Sequence, residues 1–220
     1  MKISCVLPAL NEEKNITTVI SSLRPYVHEI IVVDDGSTDS TAQLAAQSGA
    51  IVIKHPINRG QGAALETGDN YALKNGADLV IHFDADGQFL ATEIPELIEP
   101  ILKNQADIVF GSRFLSKKTA FPFGKKYIIM PLAKFFTRFF LGIKLSDPQS
   151  GLRALSRVAL KTITINNQGM AHASEIQIKA FQNKLRVVEV PITVIYQDFG
   201  QKLSGGFRII RDLLINKLIK

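Results

Sequence analysis

Two aspartates stand one residue apart, directly after a short apolar run. The run, residues 79–83, predicts an inner strand of a parallel sheet, and Asp84 and Asp86 follow it. Residues two apart in an extended chain point to the same side, so the two negative charges lie close together and need a counter-charge. Together with Gln88 they offer hard oxygen ligands that suit Mg²⁺ or Mn²⁺. The alternative is a solvated turn, because Asp-x-Asp is short and common.

A second carboxylate pair, Asp34 and Asp35, ends the apolar run 30–33. The residues that follow are typical of a turn that begins a helix, with Ser37 or Asp39 as the cap. That interpretation leaves the two aspartates unexplained. A carboxylate at this place would accept hydrogen bonds from a nucleobase or a ribose, so a nucleotide contact is the second interpretation.

Two arginines follow small residues in the second half of the chain. Arg113 ends Gly-Ser-Arg, and Arg153 ends Ser-Gly-Leu-Arg, which begins at Ser150. A guanidinium clamps a phosphate with paired donors, although an arginine is more often an ordinary surface residue. The histidines do not form a metal pattern: His172 lies three residues before Glu175 on a predicted helix, and the others stand in unrelated contexts. A histidine zinc site is therefore not expected.

The first half of the sequence alternates strand-like and helix-like runs. Strands are predicted at 2–7, 29–33, 50–54, 79–83 and 107–110, with helices at 12–23, 40–47, 62–75 and 93–103. A further helix is predicted at 171–183 and a strand at 185–196. The alternation predicts an α/β fold with a mostly parallel central sheet between helices. Ligands of such sheets bind at the carboxyl ends of the strands, where the polar motifs converge.

Composition narrows the class of protein and of partner. The chain has 220 residues, a net charge of +6, and one cysteine, Cys5, which excludes a disulfide framework and indicates a reducing, cytosolic setting. Neither a signal peptide nor a membrane span is expected. The segment 108–146 contains eight lysines and arginines and no acidic residue. That bias indicates an anionic partner, and the phenylalanines around it suit a lipid better than a nucleic acid.

Two segments predict amphipathic helices. In 127–141 the apolar residues fall on one stripe opposite Lys134 and Arg138, and the last run, 207–220, repeats the pattern. An interfacial helix on anionic lipid is one interpretation of the first segment, and a core-facing helix is the other.

The ordered set of motifs resembles the family-2 glycosyltransferases of the GT-A fold, and within them the dolichol-phosphate mannose synthase group. The resemblance runs from Met1 to about Tyr196. It is carried by the segments 8–13, 34–39, 58–64, 84–88, 111–113 and 147–153, which read PALNEE, DDGSTD, NRGQGAA, DADGQ, GSR and DPQSGLR.

The resemblance implies roles for individual residues. The nucleotide sugar would bind at Pro8, Asn11, Glu12, Asp35 and Asp84. The metal ligands would be Asp84, Asp86 and Gln88, with Mg²⁺ or Mn²⁺ as the cofactor. Residues implied for the acceptor or its phosphate are Arg113, Ser150, Arg153, Glu175 and Lys202, and those implied in catalysis are Asp86, Asp147 and Arg113.

The sequence departs from the family pattern at two places. Many relatives have Gly-Lys-Gly where this chain has Gln61, and the later basic motif of the family is only echoed by 197–203, with Lys202 as a substitute. We expect one GT-A domain over 1–220: a nucleotide-sugar half at 1–115, an acceptor half at 116–200 and an amphipathic helix at 201–220.

The resemblance implies a metal-dependent, inverting transfer of a sugar from GDP-mannose or a UDP-hexose to a polyprenyl or dolichyl phosphate. The expected enzyme is peripheral, on the cytoplasmic face of the membrane, with a small membrane protein as a possible partner and no nucleic acid. One alternative uses a soluble or glycan-linked hydroxyl acceptor, which would require a carboxylate base such as Asp147. Another is a non-catalytic module that senses nucleotide sugar at a membrane surface.

Overall fold

The computed structural model describes residues 1–115, 145–147 and 149–195. Within these residues seven strands form one sheet in the order β3-β2-β1-β4-β6-β5-β7. The strands are β1 Ile3–Ala9, β2 Glu29–Asp34, β3 Ile51–Lys54, β4 Leu79–His82, β5 Ile108–Ser112, β6 Arg153–Ser156 and β7 Val187–Pro191. The helices are α1 Ile16–Leu23, α2 Thr41–Gln47, α3 Gln61–Lys74, α4 Ile94–Leu102, α5 Arg157–Thr162 and α6 His172–Gln182.

The predicted α/β fold is confirmed, and the elements predicted for the first half are all present. Helix α1 begins at Ile16 rather than Glu12, because the Glu12 carbonyl accepts bonds from the backbone N–H groups of both Asn15 and Ile16 in a turn. The strand predicted at 185–196 is shorter, since β7 pairs with β5 only as far as Pro191. Terminal shifts of this size do not change the order of the elements.

Strand β6 was not predicted. It lies between β4 and β5 and is antiparallel to both, whereas β1 pairs in parallel with β2 and β4, and β5 with β7. Its first residue, Arg153, stands opposite His82 of β4. An antiparallel strand begins where its parallel neighbours end, so β6 brings Gly151 and Arg153 to the edge where the motifs after β1, β2 and β4 lie.

The sheet is buried on both faces, which explains the near-continuous apolar runs of its strands. On one face Leu7, Val32 and Ile81 pack with helices α1 and α4. On the other, the alternate strand residues pack with α3, α5 and α6; among them are Val6 and Val33. Helices thus cover both sides and leave the strand ends as the place for a ligand.

Several predictions fall outside the described residues: the amphipathic helix at 127–141, the C-terminal helix at 201–220 with its apolar run 207–220, and the assignment of Lys202. Across the described ranges, no helix is both long enough and apolar enough to span a bilayer.

Candidate active site

An open cavity of about 340 Å³ lies at the carboxyl ends of β1, β2, β4 and β5. The motifs after β1, β2, β3 and β4, which the sequence predicts to converge, contribute to its walls, and Arg113 after β5 joins them. Its lining includes nine of the predicted site residues: Pro8, Glu12, Asp35, Asp84, Asp86, Gln88, Arg113, Ser150 and Arg153. Three others, Asn11, Asp147 and Glu175, are not among its lining residues, and Lys202 is outside the described residues.

Asp84 occupies the centre of the cavity wall. The side-chain amide of Gln61 donates to its Oδ1 at 2.9 Å. The pKa of Asp84 is raised to about 6, first by burial and then by the charge of Asp86, while Arg153, Arg113 and Gln61 act in the opposite direction. Burial and a neighbouring negative charge disfavour the ionised form of this carboxyl, so a bound cation would stabilise that form strongly.

Asp86 lies on the cavity side of the same turn. Its Oδ1 accepts the backbone N–H of Gln88 at 3.0 Å, and burial raises its pKa as well. The two carboxylates and the Gln88 side chain are the oxygen donor set that Mg²⁺ or Mn²⁺ uses. Among the described residues no group of three or more His, Cys, Asp and Glu side chains is arranged to hold a metal. Mg²⁺ commonly binds to one or two carboxylates and takes its other ligands from water and substrate phosphates, which is compatible with Asp84 and Asp86.

Asp35 is anchored on both carboxylate oxygens. Oδ1 accepts from Nδ1 of His55 at 2.7 Å and from the backbone N–H of Arg59 at 3.0 Å, and Oδ2 accepts the N–H of Gly60 at 2.6 Å. Nε2 of His55 lies 2.9 Å from Oγ1 of Thr67 in α3. The carboxylate is thus held in one orientation at the end of β2, and it joins that strand to the loop before α3.

Asn11 ties together the loops after β1 and β2. It adopts a left-handed backbone conformation with φ of 56°, its backbone N–H donates to Ser37 Oγ, and its side-chain Oδ1 accepts the Thr38 N–H. Glu12, next to it, does line the cavity, and burial raises its pKa. The structure therefore places Glu12 in the cavity lining and Asn11 outside it.

Arg113 and Asp147 form a two-bond ion pair. Nε and Nη2 of Arg113 donate to the two carboxylate oxygens of Asp147 at 2.6 and 2.7 Å, and Asp147 is 0% exposed. The backbone N–H groups of Ser146 and Asp147 donate in turn to Glu189 of β7. Asp147 is therefore placed behind the guanidinium, which itself lines the cavity.

Arg153 is a buried cation in the cavity lining, beside Asp84. It is 1% exposed, and its Nε donates to the carbonyl of Gly151 at 3.2 Å. Nη1 is buried and has no hydrogen-bond partner among the residues that the structure describes, and burial lowers the pKa of Arg153 to about 10. Gly151 has no room for a Cβ, because the Asp84 carboxylate packs against its Cα. The start of β6 thus brings a guanidinium, and the Ser150 side of the cavity, next to Asp84.

The Gly-Gln-Gly segment before α3 is packed under a second loop. The N–H of Gly62 donates to the carbonyl of Gln168 at 2.9 Å, and a Cβ at Gly62 would collide with the carbonyl of Asn167. Glu175 holds that loop by accepting the N–H groups of Asn166 and Asn167. The small residues therefore allow close packing between the two halves, and Glu175 supports this contact from outside the cavity.

The match to protein families agrees with this geometry. The family model described as "Glycosyl transferase family 2" matches residues 4–164. The chain belongs to glycosyl transferase family 2. Its fold is that of the GT-A glycosyltransferases, and it is a glycosyltransferase that acts on nucleotide sugars.

Two relatives of this glycosyltransferase indicate a group within the family. The UDP-N-acetylglucosamine–dolichyl-phosphate N-acetylglucosaminyltransferase of Methanococcus voltae is 36% identical over 98% of this chain and 96% of its own. The polyprenol monophosphomannose synthase of Mycolicibacterium smegmatis is 31% identical over 91% of this chain and 80% of its own. The predicted resemblance to polyprenyl-phosphate glycosyltransferases is therefore confirmed.

A solved structure supports the fold and the nature of the donor site. Glucosyl-3-phosphoglycerate synthase from Mycobacterium tuberculosis, in complex with Mn²⁺, UDP-glucose and phosphoglyceric acid, aligns with a TM-score of 0.74 and 27% identity. The alignment covers 97% of this chain and 77% of that one. The glycosyltransferase thus shares its architecture with an enzyme that has been crystallised with a metal and a nucleotide sugar.

Three residues of this glycosyltransferase were not assigned to the site from the sequence. His172 lines the cavity, His55 holds Asp35, and Gln61 donates to Asp84. His172 was considered only as a zinc ligand, and Gln61 only as a missing lysine. A signal for Gln61 was present, since it stands between two glycines in a predicted site loop, but no spacing rule pairs a histidine after β3 with Asp35.

Proposed function

We propose that this glycosyltransferase moves a sugar from a nucleoside diphosphate sugar to a polyprenyl phosphate. The observation that carries the proposal is the composition of one cavity, whose lining combines two carboxylates of raised pKa with two arginines. A carboxylate pair that can hold a metal and two guanidinium groups suit two phosphorylated substrates, and two relatives are named for transfer to a dolichyl phosphate or for polyprenol monophosphomannose synthesis.

The donor is proposed to bind along β2, β1 and β4. Asp35, held by His55 and the Arg59–Gly60 backbone, would accept hydrogen bonds from the nucleobase, with Pro8 and Glu12 beside it. The diphosphate then reaches Asp84 and Asp86 at the end of β4. This order follows the sheet, so the sugar would lie next to β6.

Asp84, Asp86 and Gln88 are proposed to hold Mg²⁺ or Mn²⁺. The solved relatives contain either ion with UDP. When bound, the ion supplies positive charge to the diphosphate as negative charge develops on it. Gln61 would keep the Asp84 carboxylate oriented toward the cavity, since its amide occupies Oδ1.

Arg113 and Arg153 are proposed to bind the acceptor phosphate, with Ser150 between them in the lining. A phosphate monoester is ionised at neutral pH, so its oxygen needs no general base, and positioning carries more of the catalysis. That oxygen forms a bond to the anomeric carbon of the sugar as the bond from this carbon to the diphosphate breaks. The electron pair leaves with the nucleoside diphosphate, and direct displacement inverts the anomeric configuration.

The membrane assignment belongs to the same proposal. A polyprenyl phosphate resides in a bilayer, and the acid-free basic segment 108–146 suits an anionic surface. We propose peripheral association with the cytoplasmic face, and recruitment by a small membrane protein as one route to it.

A soluble acceptor is the second candidate, because the structural relative binds phosphoglyceric acid. A hydroxyl acceptor would need a base, and Asp147 was the sequence-based candidate. Asp147 is 0% exposed and bonded to Arg113, so its carboxylate is not presented to the cavity. This arrangement favours an acceptor whose own oxygen is already ionised.

The proposal is tested by incubating purified protein with Mg²⁺ or Mn²⁺, radiolabelled UDP- or GDP-sugars, and equal amounts of polyprenyl phosphate and phosphoglyceric acid. We expect label in the organic phase with one donor, and none with Asp86→Ala. Label confined to the aqueous phase would support the soluble acceptor. Nucleotide binding without transfer to either acceptor would indicate a sensing module.

A further inference from the structure

His172 lies where the two halves of the cavity wall meet. It is the first residue of α6, its Cβ packs close to Gly62 of α3, and it lines the cavity although it is only 2% exposed. Its Nδ1 lies 2.9 Å from the carbonyl oxygen of Gly169. A carbonyl oxygen only accepts, so Nδ1 carries the proton, and this bond fixes the tautomer.

The second ring nitrogen is left for a ligand. Nε2 of His172 makes no hydrogen bond within the described residues. Nδ1 is directed at the Gly169 carbonyl, so Nε2 lies on the opposite edge of the ring, and the residue lines the cavity. Nε2 therefore presents one lone pair to the cavity.

The charge state of the ring defines what it binds. Burial, and after it the charge of Arg153, lowers the pKa of His172 to about 3, so the ring is neutral at physiological pH. A neutral Nε2 accepts one hydrogen bond and donates none. Ionised phosphates and carboxylates have no proton to give, so neither the diphosphate nor the acceptor phosphate is its partner.

The position of His172 indicates which hydroxyl groups of the substrate it can contact, those of the nucleoside or those of the sugar. The nucleoside is proposed to bind beside Asp35 at β2, whereas His172 interacts electrostatically with Arg153 of β6 and with His82 of β4. The sheet order places β1 and β4 between β2 and β6. The hydroxyls that reach the β6 side are those of the sugar that follows the diphosphate.

We infer that His172 determines sugar specificity by accepting a hydrogen bond from a hydroxyl of the transferred sugar through Nε2. The inference rests on the proposed donor, a nucleoside diphosphate sugar, but not on the identity of the acceptor. It makes His172 a substrate-binding residue, distinct from the residues that bind phosphate, base or metal.

The test compares affinities for sugar nucleotides and for the bare nucleotides. Calorimetric titration with UDP, UDP-N-acetylglucosamine, GDP and GDP-mannose is carried out on the wild type, His172→Ala, His172→Gln and, as a control, His28→Ala. His28 is exposed and bonds to the Ile3 backbone at the other end of β1. Loss of one neutral hydrogen bond predicts that His172→Ala weakens binding of the preferred sugar nucleotide about 3- to 10-fold.

The bare nucleotide is expected to bind the wild type and His172→Ala with equal affinity. His172→Gln keeps an acceptor oxygen, so it should recover part of the lost affinity for the sugar nucleotide. Equal weakening of nucleotide and sugar nucleotide, or no weakening of either, overturns the inference. No binding of any sugar nucleotide by the wild type overturns the proposed function as well. If binding of the sugar nucleotide depends on His172 but no sugar is transferred to polyprenyl phosphate, the inference stands and only the proposed lipid acceptor is wrong.

Deoxy-sugar nucleotides provide a second measurement on the unaltered protein, in case the variants fold poorly. Removal of the hydroxyl that His172 contacts should weaken binding to the wild type by about the same 3- to 10-fold, since one bond is lost in either case. The same analogue should bind His172→Ala as the parent sugar nucleotide does. If no single deoxy analogue weakens binding to the wild type, the inference is wrong.

Discussion

Arg113 and Asp147 make two parallel hydrogen bonds, from Nε and Nη2 to the two oxygens of a carboxylate with no exposed surface. A planar guanidinium bound in this way is fixed in orientation, which is what recognition of a phosphate requires. The Asp147 N–H donates to Glu189, so the pair is also tied to β7. The finding indicates that Asp147 positions Arg113, for which we propose the contact with the acceptor phosphate.

Asp147→Asn is expected to lower kcat/KM about 10- to 100-fold, mainly through KM for the acceptor phosphate, because Arg113 loses its orientation. Arg113→Met should do the same, and the double variant should be no worse than the more severe single one. Steady-state kinetics of the three variants measure this. Additive losses, or the disappearance of the acidic limb of the pH–rate profile only in Asp147→Asn, would instead identify Asp147 as a base.

His55 orients Asp35 through a 2.7 Å hydrogen bond and is itself held by Thr67. His55→Ala removes one of three donors to a carboxylate, so we expect the nucleotide Kd to rise about 5- to 20-fold with little change in kcat. His55→Asn, which retains a donor, should recover part of the affinity. Calorimetry with nucleoside diphosphates measures the effect. An unchanged Kd in His55→Ala would show that Asp35 does not depend on this bond.

Gly62 and Gly169 form a matched pair for a packing test. A Cβ at Gly62 would overlap the Asn167 carbonyl, whereas a Cβ at Gly169 would meet nothing within 4 Å. Gly62→Ala is expected to destabilise the fold by about 1–3 kcal/mol, because packed backbone must move. Gly169→Ala should change the free energy of unfolding by less than about 0.5 kcal/mol. Urea denaturation compares them, and equal stabilities would refute close packing of the two halves at this point.

The neutral ring of His172 predicts a dependence of stability on pH. Its folded pKa, about 3, is below the ordinary value of 6.5, so between these values the unfolded chain binds more protons than the folded one. The resulting stability is present above pH 6.5 and is lost as the pH falls toward 3. His172→Gln should therefore lose less stability than the wild type between pH 7.5 and 5.0, measured by urea denaturation. Parallel losses would mean that the ring is not buried in neutral form.

The strand and helix order of the first half was predictable because its apolar runs are buried on both faces and end at glycine, proline or paired aspartates. Strand β6 was not predictable from the sequence, because its four residues, Arg153–Ser156, follow a motif that also predicts a loop. Direction in a sheet is set by long-range pairing, here with His82 and Phe110. A one-dimensional pattern does not contain that information.

The site residues that directly follow a strand, such as Asp35, Asp84 and Asp86, were predictable from the sequence. The resemblance implied Asp147 in catalysis and Glu175 in binding the acceptor, and in the structure they accept bonds from Arg113 and from the backbone of 166–167. Whether a carboxylate faces a cavity depends on which donors surround it. The donor to Asp147 lies 34 residues away in the sequence, and the donors to Glu175 lie in a loop with no regular spacing, so the sequence alone did not distinguish the two cases.

The most direct test of the central claim is mass spectrometry of the organic phase after incubation of the protein with Mg²⁺ or Mn²⁺, polyprenyl phosphate and the sugar nucleotide that it binds. We predict a lipid product heavier by one glycosyl residue, formed by the wild type and absent with Asp86→Ala. Unchanged polyprenyl phosphate, together with a glycosylated soluble acceptor in the aqueous phase, would contradict a lipid acceptor. Unchanged lipid with no product in either phase would contradict transfer itself.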